Sequence, residues 1–126
     1  MKLNYDTIRE LLLQIEEKTD LENVLEYDRN NTDQDTFYTL IKLKEAGFIN
    51  SVEVNTWIGI VHIQVKSLTW EGHEFLNTIR DPKVFKETKN QIGKLASVSL
   101  DVLGKVATEI IKNKLGLWFF HLVSII

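Results

Sequence analysis

Residues able to do chemistry are sparse in this sequence. Its three histidines, His62, His73 and His121, lie far apart along the chain, and there is no cysteine. Glu71, His73 and Glu74 sit close together, but neighbours on a helical segment project in different directions. A zinc hydrolase needs two histidines one helical turn apart around a glutamate. A phosphate loop needs glycines ahead of a Lys-Ser/Thr pair, and a serine hydrolase needs its nucleophile on a Gly-x-Ser-x-Gly elbow. None of these patterns occurs, and a chain without cysteine makes no thiolate zinc site. The sequence therefore points away from an enzyme, with no catalytic residue, no metal and no cofactor expected.

What remains are residues that could bind. Gln34, Asp35, Tyr38, Thr39 and Lys42 fall on one face of a helical segment; in a helix-turn-helix such a face reaches base edges in the major groove. Asn55, Thr56 and Trp57 lie in a turn between two alternating segments, where they could touch a groove or a protein from the tip of a wing. The plainer readings are solvated surface for the first group and packing of Trp57 on its own hairpin for the second.

The elements that must position these residues follow from the apolar rhythm. Tyr5, Ile8, Leu11, Leu12 and Ile15 make one stripe, which predicts a helix over Tyr5–Lys18 capped by Asn4 or Asp6. Asp20 is read as the cap of a short second helix over Leu21–Tyr27, and residues 28–31 as a polar turn. The third helix opens on Thr32 and Asp35, buries Phe37, Leu40 and Ile41, and ends on Gly47 as a left-handed cap. Between 51 and 68 the period changes to two: Val52 and Val54 alternate with Glu53 and Asn55, then Val61, Ile63 and Val65 with His62, Gln64 and Lys66. That predicts a two-stranded hairpin. A fourth helix follows Thr69, uses Trp70, Phe75, Leu76 and Ile79, and is broken by Asp81-Pro82. The order is that of a winged helix-turn-helix in an α+β, mostly helical class, with residues 1–81 as the domain.

Residues 82–126 read as a C-terminal extension for dimerisation or partner binding. One helix over Pro82–Leu117 would run about 50 Å at 1.5 Å per residue, with Ile92, Leu95, Ser99, Leu103, Val106 and Ile110 as a dimerisation stripe and the small residues Ala96 and Ala107 allowing close approach. The ending Trp118–Ile126 is almost wholly apolar but well short of the roughly 20 residues that span a bilayer.

The resemblance is carried by Ser67-Leu68-Thr69-Trp70-Glu71-Gly72-His73-Glu74-Phe75-Leu76, which matches the LTxxGxxFL ending of many winged-helix proteins. Together with Met1–Arg9, Ile15–Thr19, Leu43–Ile49 and Ile79–Asp81, it resembles a family of bacteria and their phages catalogued as domain of unknown function 2513, over nearly the whole chain to Leu117. The resemblance implies a winged-helix fold and brings no established role.

Charge weighs on the choice of partner. The net charge of −3 divides into −6 over residues 1–63 and +3 over residues 64–126, so the half that would face DNA lacks the phosphate attraction behind most non-specific affinity. Residues 82–117 carry seven lysines against three acids. A basic amphipathic helix ending in Trp118-Phe119-Phe120 has the chemistry of an interfacial anchor, although burial of the tail on the domain or its twin explains the same residues, so a membrane is not among the expected partners. The start lacks the apolar run of a signal peptide, and a cytoplasmic setting is expected. Two functions stand at this stage. One is a phage- or mobile-element-associated regulator binding DNA as a dimer. The other is a protein-interaction module that engages a host or phage protein through the acidic winged-helix face or the long helix, with a membrane-surface version of it as a distant third.

Overall fold

The computed structural model describes residues 1–95 and 98–125. Among these the protein is α+β, with five helices and one three-stranded antiparallel sheet. The chain divides into two compact units, Met1–Leu76 and Asn77–Ile126.

In the first unit α1 spans Tyr5–Lys18. Its N-cap is Asn4, whose Oδ1 accepts the amides of Asp6 at 2.9 Å and Thr7 at 3.3 Å, and it buries Ile8, Leu11, Leu12 and Ile15. The Asp20 carboxylate then accepts the Glu22 and Asn23 amides at 2.8 and 2.7 Å. It caps a turn rather than the expected helix over Leu21–Tyr27. Leu21 and Val24 lie exposed, so a helix here would have no apolar face to bury. The chain instead leaves the turn extended as β1, Leu25–Asp28, with Leu25 and Tyr27 turned inward and Glu26 and Asp28 outward.

Helix α2, Gln34–Glu45, is capped by Asp33, which accepts the Thr36 amide at 2.9 Å; the cap lies one residue beyond the expected Thr32. Phe37, Thr39, Leu40 and Leu43 are buried, whereas Ile41 is half-exposed. Gly47, at φ +79°, ends the helix as expected. The amides of Phe48 and Gly47 return to the carbonyls of Leu43 and Lys44, the paired bonds of a Schellman motif.

The sheet is completed by β2, Ile49–Thr56, and β3, Gly59–Leu68, in the order β1-β3-β2. The expected hairpin is therefore present, but as two strands of three. The phase of β2 also differs from the reading: Ile49 and Ser51 point inward while Val52 and Val54 are half-exposed on the outer face, with register shifts at Asn50/Ser51 and Val54/Asn55. Those irregularities re-aim the strand.

Helix α3, Trp70–Ile79, starts against the end of α2. Thr69 Oγ1 accepts the Gly72 amide at 3.0 Å and donates to the Gly47 carbonyl at 2.5 Å. A Cβ on Gly72 would collide with the Phe48 carbonyl. Phe75 stacks on Phe48 with ring centroids 4.8 Å apart, while Trp70, read as part of the buried face, is exposed.

The second unit corrects the single long helix. Helix α4 covers Pro82–Ile92 and α5 covers Leu100–Ile125. Asp81 caps α4 through the amides of Lys83 and Val84 at 2.8 and 3.0 Å, with proline at the first turn. Gly93 closes it. Lys114 in the second half of α5 pairs with Glu87 at 3.1 Å and acts on Asp81 at the start of α4, as in an antiparallel pair, and Val84, Phe85, Thr88 and Ile92 are buried along with Leu103, Ala107 and Ile110. The expected dimerisation stripe is thus broken up. Ile92, Leu103 and Ile110 are covered within the pair, Val106 is half-buried, Leu95 is exposed in the connection, and Ser99 Oγ accepts the Val102 amide at 3.2 Å. Ala96 lies outside the described residues. No helix among the described residues is long and apolar enough to cross a membrane.

Candidate functional site

A cleft of about 600 Å³ lies where α1, β1 and the start of α2 converge in the first unit. α1 contributes Thr7, Glu10 and Gln14, β1 contributes Glu26, Tyr27 and Asp28, and the connection contributes Asn31, Thr32 and Asp33. Four of its lining residues are carboxylates and none is basic. The elements bring them together because α1 and α2 pack on one another and β1 extends the sheet beside α1.

Each carboxylate has a defined setting. Asp33 is held below the usual carboxylate range by the Thr36 amide it accepts and is charged throughout the physiological range. Asp28 Oδ1 lies 2.6 Å from His62 Nδ1 across the β1–β3 pair, and Glu26 lies 3.4 Å from His62 Nε2. Glu10 is exposed on α1. Next to them Asp35 accepts a bond of 2.7 Å from Thr7 Oγ1. The Tyr27 hydroxyl is buried in the wall without a hydrogen-bond partner, an unmet donor and acceptor of a kind that folded proteins rarely leave. Burial also pushes its pKa up, so it is a neutral phenol. The carboxylates, amide carbonyls and hydroxyl oxygens form a set of acceptors suited to an ammonium or guanidinium group.

The residues singled out on α2 are placed differently. Gln34 is exposed and Tyr38 half-exposed. Thr39 is 0% exposed, its hydroxyl donating to the Asp35 carbonyl at 2.6 Å, so it does not belong to the outward face. Lys42 pairs with Glu45 at 2.9 Å and sits over the Tyr38 ring. Asn55, Thr56 and Trp57 do cluster at the hairpin tip. Trp57 is 97% exposed there instead of packing on its hairpin, and Arg29 braces the tip by donating to the Ile58 and Ile60 carbonyls at 3.2 and 3.3 Å. The acidic cleft was not found by sequence reasoning. Its signal was the run of acids Glu10, Glu26, Asp28 and Asp33, visible as a charge total but not as one surface. Among the described residues no group of three or more His, Asp or Glu side chains is placed to hold a metal ion.

Residues 2–99 match the family described as Hypothetical protein (DUF2513). The chain belongs to the DUF2513 family. A relative from Haemophilus influenzae, described as an uncharacterized protein, is 33% identical over 119 residues, which is 92% of this chain and the whole of the relative. No solved structure matches. The DUF2513 match takes in the whole cleft and the sheet, and it stops at residue 99, before α5 and short of Leu117.

Proposed function

We propose that this DUF2513 chain is a winged-helix-type interaction module, a binding protein rather than an enzyme, acting in the cytoplasm by taking a basic segment of a partner protein into the acidic cleft. The winged-helix part of the reading is supported by the order helix, strand, helix, hairpin, helix and by the sheet order β1-β3-β2. The observation that carries the choice of ligand is electrostatic. Residues 1–76 hold seven lysines and arginines against fourteen acids, and four of those acids line one cleft, two of them, Glu26 and Asp28, also paired with His62, with an unpartnered phenol in its wall.

Duplex DNA read by α2 and the hairpin is the second reading, favoured by the exposed Asn55, Thr56 and Trp57 at the tip. Against it, the α2 face supplies Lys42 already paired with Glu45, beside Asp35. A surface of that sign repels phosphates.

Fluorescence anisotropy with a labelled arginine-rich peptide and a labelled duplex separates the two. The peptide is expected to bind, and Glu10→Gln with Asp33→Asn to weaken it about tenfold; Asn retains the cap at position 33. Neutralising Glu17 and Glu22, which lie outside the cleft lining, is expected to change the affinity less than about twofold. Equal effects of the two pairs would reject the cleft. A duplex shift at low salt that Lys42→Glu abolishes would favour the DNA reading.

A further inference from the structure

We infer that the end of α5 inserts into the hydrocarbon layer of an anionic lipid bilayer. Helix α4 has 11 residues and α5 has 26, and in the antiparallel pair the Glu87–Lys114 contact places Lys114 beside α4. Asp81, which caps the start of α4, also lies within electrostatic reach of Lys114, so α5 beyond that point runs past the start of its partner. Leu115, Leu117, Trp118, Phe119 and Leu122 are all exposed there, and at 100° per residue they spread over more than half of the helix circumference.

That spread decides the occupant. A protein groove or a second copy covers a stripe, and the remainder of such a helix is polar. Here no Lys, Arg, Asp or Glu follows Lys114, and His121 and Ser124 are the only polar residues after it, so the segment suits a largely apolar surrounding medium. Its order along the axis matches the layers of a leaflet. Lys112 and Lys114 come first, paired with Glu109 at 3.7 Å and Glu87 at 3.1 Å. Trp118 and Phe119 follow at the depth aromatic residues favour, and the aliphatic Leu122 comes after them. Leu115–Ile125 rises about 16 Å, close to the hydrocarbon half-thickness of about 15 Å. The unit carrying it, residues 77–126, has eight basic against four acidic residues, which complements anionic headgroups.

The test is co-sedimentation of the full chain with vesicles of phosphatidylcholine, with and without about one-third phosphatidylserine. Binding is expected, stronger on the anionic vesicles. Trp118→Ser with Phe119→Ser is expected to reduce it at least about tenfold, since two large exposed apolar side chains are removed. These positions are exposed, so folding is unaffected; equal circular dichroism of the two chains checks this. In a Trp57→Phe, Trp70→Phe background, lipids brominated near the headgroup end of the acyl chain are expected to quench Trp118. Failure to sediment with either vesicle, equal binding by the double variant, or a dimer in solution whose Trp118 the brominated lipids do not quench would each overturn the inference.

Discussion

His62 stands at the centre of the outer sheet face, between the carboxylates of Asp28 and Glu26. The hydrogen bond to Asp28 is the main cause that raises its pKa above the ordinary 6.5, with Glu26 adding to it against a smaller desolvation effect. The folded chain therefore holds this proton more tightly than the unfolded chain. Its contribution to stability is complete below pH 6.5 and is lost as pH rises through the raised value. The thermal midpoint is expected to fall as pH rises above 6.5, and His62→Gln to flatten that dependence. An NMR titration placing the His62 pKa at or below the ordinary value would contradict the geometry. Tyr27 offers a second test at this scale. Replacing it with Phe removes a buried hydroxyl that has no partner, so the variant is expected to gain about 1 kcal/mol in urea unfolding while binding the basic peptide more weakly. A loss of stability would mean the hydroxyl is satisfied. Polar character misled the reading of Thr39. A hydroxyl that bonds the carbonyl four residues back satisfies itself within its own helix and can be buried.

Among the elements, those with long periodic signals were legible. The stripe of α1, the left-handed cap at Gly47 and the alternation of β3 through Ile63 and Val65 produced the expected structures, whereas β2 formed with the opposite phase. The four residues of β1 were not, because so short a segment carries little period and its strand character comes from pairing with β3 rather than from itself. The break between α4 and α5 failed for a related reason: the stripe through Ile92, Leu103 and Ile110 continues in phase across it, and the pattern cannot distinguish one helix facing a twin from two facing each other. Gly72 makes the packing of α3 testable. Because a methyl group there meets backbone rather than a movable side chain, Gly72→Ala is expected to cost about 2–3 kcal/mol in denaturant unfolding. An unchanged midpoint would show that α3 does not sit against the α2–β2 corner.

The molecule as a whole is organised by charge. Its net −3 conceals an acidic first unit and a basic second one, and this division was readable in the sequence, as was the apolar tail. What the sequence could not supply was convergence: Glu10 comes from a helix, Glu26 and Asp28 from an edge strand, and Asp33 from the turn between that strand and the next helix. Only the fold makes them one surface. The exposure of the tail likewise depends on α4 being the shorter of the two helices. The most direct test of the central claim maps backbone amide shifts of the full chain titrated with the arginine-rich peptide. The account expects the largest changes at Glu10, Gln14, Tyr27 and Asn31, around the cleft. Changes centred on Gln34, Tyr38 and Trp57, or none at all, would contradict it.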